Sequence, residues 1–397
     1  MLIYAAALVL ALLAALAARH WLWPTTVPAS LRVRRVDPAR YFSGAFLARS
    51  ASYERFLNID ELLAQLAVLA AMVLYAIRGE RLTSESAAGP IGTGMLLGML
   101  GFAFIWIAEL PFGLAAVWWE RRHHVSHQGY AAAVIESFFA LGGKFLFVCF
   151  ALLVAMGLAR LTRRWWWALA APAFAALALS FTFLGVYLTP ATEPLRRRDV
   201  AADARALARG EGVAGTQVLV QKVARFTSAP NAEAVGFGPT RRVILWDTLL
   251  DGRFDRGEIR IVTAHELGHL AHEHPLKRVG WLVLFLIPLA ALIAYLTSRR
   301  GGMGQPRAVP LALAVFVAAG LVFAPASNLI SRRMEAEADF SALRATRQPA
   351  AARALFVKLA RTSLENPDPP SWAYVLYGDH PTIAQRLAMS EAFAASR

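Results

Sequence analysis

The stretch Thr263-Ala264-His265-Glu266-Leu267-Gly268-His269-Leu270 contains two histidines four residues apart, with a glutamate directly after the first. The preceding residues, 257–262, read as the start of an amphipathic helix. Residues four apart share one face of a helix, so His265 and His269 can turn their rings toward one metal ion, for which zinc is the natural occupant. Glu266 lies close enough to act on water as a general base. The stretch therefore predicts a hydrolytic site with one zinc ion per chain.

The composition indicates that much of the chain lies in a membrane, because 57% of its 397 residues are hydrophobic and only 17% are charged. Seven apolar runs approach or exceed the roughly 20 residues that a helix needs to cross a bilayer. They cover residues 2–18, 57–77, 90–119, 138–159, 165–189, 279–297 and 309–330. We expect a mainly α-helical, polytopic membrane protein. Residues 1–190 would form an N-terminal membrane region with five spans, and residues 191–397 a zinc-binding region with the other two.

The first apolar run has two interpretations. Ala15-Leu16-Ala17 resembles the cleavage site of a secretory signal, but no Lys or Arg precedes the apolar residues. We therefore expect a retained helix and seven spans in all.

Basic residues flank the apolar runs and give a net charge of +14. They form no stripe interleaved with aromatic residues, so nucleic acid is not an expected partner. With the N-terminus outside, the larger basic groups fall on the cytoplasmic side, where we also expect the zinc region. These groups are Arg32, Arg34, Arg35, Arg40, Arg49 and Arg55, then Arg121 and Arg122, Arg196 to Arg198, Lys277 and Arg278, and Arg332 and Arg333. The single cysteine, Cys149, excludes an intrachain disulfide.

A mostly polar block, residues 191–278, separates the fifth and sixth runs. Residues 216–223, 234–237 and 242–247 read as strands, and residues 238–241 as a turn. A small antiparallel β-sheet beside the histidine-bearing helix is the expected product. The sixth and seventh runs would form a membrane hairpin through the glycine-rich residues 301–304.

Two known classes of zinc protease do not fit the sequence around the histidines. A metzincin would carry Gly at position 272 and His at 275, where this chain has His272 and Pro275. A protease of the site-two type would bury the histidine pattern inside an apolar run, whereas here polar residues surround it. The third zinc ligand must therefore come from elsewhere, because a catalytic zinc usually takes three protein ligands.

The best candidates for a third ligand directly follow the seventh run. Glu335 and Asp339 are four residues apart, so one carboxylate can bind zinc while the other orients a ligand histidine. Glu337 is expected to point elsewhere. Two crossings separate His269 from Glu335 and return the chain to the same side of the membrane. Without the histidine pattern, this acidic run would be read as a solvated helix end.

Four motifs, together with the spans, resemble the type I CAAX prenyl protease family of seven-span membrane zinc metalloendopeptidases and their bacterial relatives. They are His265-Glu-Leu-Gly-His269 with His274 beyond it, Glu335-Ala-Glu-Ala-Asp339, Asn231-Ala232 ahead of Ile244-Leu-Trp-Asp-Thr-Leu-Leu250, and His380-Pro381 with Arg386-Leu387. The resemblance covers nearly the whole chain.

The resemblance implies a complete zinc site. His265, His269 and Glu335 would bind the ion, Glu266 would activate water, and Asp339 would support a ligand from behind. Substrates would be membrane-associated or prenylated-type polypeptides.

The resemblance also implies residues that contact substrate. His380 would donate to the oxyanion that develops on the scissile carbonyl. Asn231 and Ala232 would lie on an edge strand that pairs with the substrate backbone. The family's fold encloses a water-filled chamber, in which Glu109 and Lys144 would fit, although an ion pair that packs two helices explains them equally well.

Two other functions remain open from the sequence. A heat-shock-type membrane metallopeptidase shares the zinc motifs but has fewer spans and a quality-control role. A seven-span transporter or binding protein could carry a structural zinc, although such sites are usually closed by four protein ligands.

Overall fold

The structure is a computed structural model that describes residues 12–14, 16–32, 35–82, 88–184, 187 and 192–396. After short helical segments at Ala18–Leu22, Ala29–Leu31 and Pro38–Arg40, four long helices follow. They are α1 (Gly44–Arg78), α2 (Gly89–Arg122), α3 (Tyr130–Thr162) and α4 (Trp166–Leu184). A short sheet and one helix follow. These are β1 (Thr192–Pro194), α5 (Arg198–Gly210), β2 (Gln217–Gln221), β3 (Ala232–Val235) and β4 (Arg242–Trp246). Six helices complete the chain, namely α6 (Arg256–Ala271), α7 (His274–Ser298), α8 (Val309–Thr346), α9 (Pro349–Ser363), α10 (Ser371–Tyr377) and α11 (Ile383–Ala395).

Six of the described helices are long and apolar enough to cross a membrane, namely α1 to α4, α7 and α8. They coincide with the second to seventh predicted spans. Most of the first predicted span lies outside the described residues, so the number seven stays a prediction. The last of these six helices, α8, extends beyond its apolar part and continues without a break through Glu335 and Asp339.

Glycines allow close packing of the membrane helices, a feature that the sequence reading missed. A Cβ atom at Gly98 of α2 would collide with Leu152 of α3, and one at Gly101 would collide with Leu313 of α8. Small residues in membrane helices let backbones approach, which gives van der Waals contact in place of a hydrophobic driving force.

The sheet is mixed, so the prediction of an antiparallel sheet is wrong. Its strand order is β1-β2-β4-β3, and β2 pairs with β4 in parallel, with Gln217 opposite Arg242. The short turn after β3 forces β3 and β4 to be antiparallel. The ten residues between β2 and β3 are long enough to carry the chain past β4, so β3 becomes the edge strand.

Helix α6 carries the two histidines, and a capping box fixes where it begins. The Asp255 side chain accepts from the backbone N–H of Glu258, whose carboxylate accepts from the N–H of Asp255. The helix ends at Ala271, and Glu273, directly before α7, lies in the left-handed region with φ of 56°. Pro275 then lies in the first turn of α7, where its missing N–H costs no helical hydrogen bond.

Close contact between α6 and α8 sets the position of the site. A Cβ atom on Gly268 would lie 3.0 Å from the Cβ of Ser341 and 3.4 Å from the Cα of Ala338. The absent side chain therefore lets the two backbones approach. Leu267 and Leu343, both nearly inaccessible to solvent, belong to the apolar core around this contact.

Candidate metal centre

Three side chains of α6 and α8 meet at one point. The Nε2 atoms of His265 and His269 are 3.1 Å apart. Glu335 Oε2 lies 3.1 Å from the first of these nitrogens and 3.3 Å from the second. Among the described residues, these three form the group whose ligand atoms could share one metal ion, and all three are buried.

The triangle of ligand atoms has the size and charge that a cation requires. Donor atoms about 2.0–2.1 Å from a tetrahedral zinc are roughly 3.3 Å from one another, which is close to the three distances here. Burial lowers the pKa of His265, but hydrogen bonds to Asp339 and Glu335 outweigh it and raise the pKa to about 9. The site therefore favours a positive charge between these atoms, and the residues fit a zinc ion.

His265 is held from behind by a buried carboxylate. Its Nδ1 lies 2.9 Å from Asp339 Oδ1. Arg386 donates to both oxygens of the same carboxylate, at 2.8 and 2.6 Å. Because the carboxylate only accepts, the proton belongs on His265 Nδ1, which leaves Nε2 free to face the triangle. The structure thus places Asp339 beside His265, where a supporting carboxylate was expected, together with Arg386, to which the sequence assigned no role.

His269 has a different support. Its Nδ1 lies 2.8 Å from His274 Nδ1, and His274 Nε2 lies 3.1 Å from Glu337 Oε2. Glu337 does point away from the triangle, as predicted. The sequence analysis missed its contact with His274, because that contact depends on the turn at Glu273.

Two further groups contact Glu335. Arg278 Nη2 lies 3.2 Å from Glu335 Oε1, and His380 Nε2 lies 3.2 Å from Glu335 Oε2. His380 also lies 2.8 Å from Asp379 through Nδ1. Burial lowers the pKa of His380, but these two carboxylates outweigh it and raise the pKa to about 10. In this geometry the imidazole can donate from Nε2 to Glu335 Oε2 and from Nδ1 to Asp379 Oδ1.

A cleft of about 420 Å³ opens beside the triangle, and Glu266, His380 and β3 line it. Asn231 directly precedes β3, and its carbonyl accepts from the N–H of Trp246. Since successive residues of a strand point their backbone groups to opposite sides, those of Ala232 and Ala234 face away from β4. Burial and nearby Glu266 raise the pKa of Glu233. The structure thus brings Asn231 and Ala232 to the same cleft as the predicted ligands.

The fold is similar to that of a known membrane protein. The crystal structure titled S. mikatae Ste24p superposes with a TM-score of 0.71 over 91% of this chain and 92% of that one, at 17% sequence identity. At this identity the match shows a shared fold.

Residues 194–393 match the family model described as Peptidase family M48. The chain belongs to this family of metallopeptidases, which confirms the resemblance deduced from its motifs. One similar relative is an uncharacterized metalloprotease, YhfN, from Bacillus subtilis, 30% identical over 50% of this chain and 49% of that protein. The match thus spans about half of that relative's length.

Two other relatives have more specific names. A protease HtpX homolog from Kineococcus radiotolerans is 29% identical over 48% of this chain and 73% of that protein. A CAAX prenyl protease 1 homolog from Oryza sativa is 29% identical over 42% of this chain and 40% of that protein.

Proposed function

We propose that this protein is an integral membrane zinc metalloendopeptidase. The observation that carries the proposal is the triangle of Nε2, Nε2 and Oε2 atoms, which opens into a cleft beside Glu266. His265, His269 and Glu335 would hold the zinc ion. An open cleft beside three ligands suits a catalytic ion better than a structural one, which four protein ligands usually close. This counts against the transporter or binding-protein alternative.

When bound, zinc supplies Lewis acidity toward the scissile carbonyl and toward water. Glu266 is the base that takes the proton from the attacking water and passes it to the leaving amine. His380 donates from Nε2 to the carbonyl oxygen as negative charge develops there. Asp339 keeps His265 in the tautomer that leaves Nε2 free.

The substrate is a polypeptide that adds a strand to β3. The carbonyl of Ala232 and both backbone groups of Ala234 face the cleft and offer hydrogen bonds to an extended chain. Asn231 fixes the start of this edge, because its side chain accepts from the N–H of Ala232 at 2.9 Å.

Membrane-associated polypeptides, including prenylated-type ones, are the substrate class that we propose. A groove of about 410 Å³ runs from β3 past Arg278 to Phe181 and Leu282. These two apolar residues also line a cavity of about 250 Å³ between the membrane helices, whose lining is wholly apolar. A hydrocarbon chain or an apolar peptide segment would suit that cavity while the scissile bond lies at the zinc.

The relatives leave two roles for such an enzyme. The names of two of them contain CAAX prenyl protease and HtpX, and the second corresponds to the quality-control alternative. Cleavage of matched peptides with and without a prenyl group would separate the two roles, since only the first predicts a preference for the lipid.

We also propose that the catalytic region lies on the cytoplasmic side, as the basic groups next to the apolar helices favour. Cysteine labelling can test this orientation. The single native Cys149 is replaced by Ala, and one new cysteine is placed at exposed Glu273. A membrane-impermeant reagent should label Glu273→Cys only after the cytoplasmic side is opened; labelling of intact cells would reverse the orientation.

The mechanism predicts that a variant of Glu266 keeps its zinc but loses its peptidase activity. Glu266→Gln should retain zinc and lose at least about 100-fold in peptide cleavage, because the amide cannot take a proton. Zinc content is measured by elemental analysis and cleavage with a fluorogenic peptide, with Glu193→Gln at exposed Glu193 of β1 as the matched control. Cleavage by purified Glu266→Gln at the rate of the control would reject the mechanism.

A further inference from the structure

A buried chain of hydrogen bonds lies behind His269 and ends at Glu337. His274 is fully buried, and the side chain of Glu337 is only 4% exposed. The two Glu337 oxygens have different partners, because Oε2 contacts His274 and Oε1 accepts from the backbone N–H of Thr26. The carboxylate is therefore fixed at both oxygens.

The protons in this chain can be assigned from the carboxylate outward. A carboxylate only accepts, so His274 carries its proton on Nε2 and, when neutral, a lone pair on Nδ1. That lone pair accepts from His269 Nδ1–H over 2.8 Å. His269 Nε2 is then left with a lone pair, and this is the atom that faces His265 and Glu335.

We propose that His274 and Glu337 are positioning residues that hold the ring and tautomer of His269 for metal binding. The proposal rests on the proposed zinc ligation by His265, His269 and Glu335. It assigns each histidine ligand its own carboxylate: Asp339 acts directly on His265, and Glu337 acts on His269 through an intervening imidazole. A carboxylate behind a ligand histidine raises the basicity of the ring and fixes its orientation.

The local backbone explains how His274 reaches His269. The left-handed residue Glu273 breaks the helix between the two histidines and turns the chain back. The rings of His269 and His274 end with centroids 4.9 Å apart and planes at 72°, which suits a hydrogen bond along the ring edge.

Three variants at two neighbouring histidines test the proposal in the full-length protein purified in detergent. His274→Leu removes the acceptor for His269 Nδ1–H, whereas His274→Gln keeps a carbonyl oxygen that can accept the same bond. His272→Leu is the matched control. His272 Nδ1 lies 3.8 Å from Glu337 Oε1, which is too far for a hydrogen bond, and His272 makes no hydrogen bond to His269 or His274. Zinc affinity is measured by competition with a chromophoric chelator, and the absorption spectrum of the Co²⁺-loaded protein reports the ligand geometry.

We expect His274→Leu to bind zinc about 10–100-fold more weakly and to change the Co²⁺ spectrum, as removal of a partner behind a ligand typically does. His274→Gln should recover most of the affinity, and His272→Leu should match the native protein. Native affinity in His274→Leu, or equal weakening in the Leu and Gln variants, would overturn the proposal.

Glu337→Gln covers the case in which His274→Leu does not fold, since the amide keeps the volume but loses the charge and one of the two oxygens that serve His274 and Thr26. It should weaken zinc binding without lowering the unfolding temperature of the metal-free protein; native zinc affinity in this variant would also overturn the proposal. Because these measurements record metal binding, they stay separate from the cleavage assay on Glu266→Gln that tests the proposed function.

Discussion

Two sets of charged side chains lie among apolar residues in this protein, and they are held very differently. Around the candidate metal centre, side chains that are 1–13% exposed contact one another at 2.6–3.3 Å. In the membrane region, Lys144 of α3 pairs with Glu109 of α2 at 3.7 Å, and each side chain is 46% exposed. The first set imposes a geometry on the helices that carry it. The second is a single long ion pair between two helices.

The largest effect is expected from removing the ligand that α8 contributes. Glu335→Ala should reduce zinc affinity roughly 100-fold or more, since loss of a ligand exceeds the 10–100-fold loss from removing its support. It also removes the carboxylate that Arg278 and His380 contact. Elemental analysis of the purified protein measures the metal, with Glu193→Ala at exposed Glu193 of β1 as the control. Full zinc occupancy in Glu335→Ala would show that the third ligand is another group.

A glycine substitution in each region compares their packing. Gly268→Val should lower the free energy of unfolding by about 1–3 kcal/mol, because its side chain meets Ser341 and Ala338 across the contact between α6 and α8. Gly143→Val on α3 is the matched control, since a Cβ there meets nothing within 4 Å. Thermal unfolding in one detergent measures both. Equal decreases in stability for the two variants would mean that the contact between α6 and α8 does not require a glycine at position 268.

The sequence allowed the ligands to be predicted because their spacing follows the helix period. His265 with His269, and Glu335 with Asp339, are each four apart, so each pair shares a face whatever the rest of the chain does. The alignment of α6 on α8 was beyond such reasoning, since it depends on the contact at Gly268. The support from His274 depends on the left-handed conformation of Glu273. Such a conformation is uncommon for a non-glycine residue, so the sequence does not predict it.

The sheet shows the same limit for the fold. Three of its strands could be located from their residue types, and β3 and β4 follow from the short turn between them. The connection between β2 and β3 is long enough for either direction of pairing, so its sequence does not decide between β2–β3 and β2–β4 neighbours. Tertiary packing beside α6 makes that choice.

The smallest effect is expected in the membrane region. In the water-filled chamber that the resemblance implies, an ion pair at 3.7 Å contributes about 0–1 kcal/mol, so a double-mutant cycle with Glu109→Gln and Lys144→Met should give a coupling free energy in that range. Neither variant should change zinc content, because the pair contacts no residue of the metal centre. Thermal unfolding in detergent measures the coupling.

Kinetics on the same two variants separate the pair's two possible roles. If Glu109 and Lys144 only pack α2 against α3, both variants should keep the KM for a membrane-delivered peptide. If the charges line a path that substrate crosses, each variant should change KM without changing stability, since contact with substrate does not depend on the partner charge. A shift in KM together with a coupling free energy near zero would therefore indicate that Glu109 and Lys144 contact substrate rather than pack α2 against α3. Charged groups among apolar residues would then have functional roles in both regions.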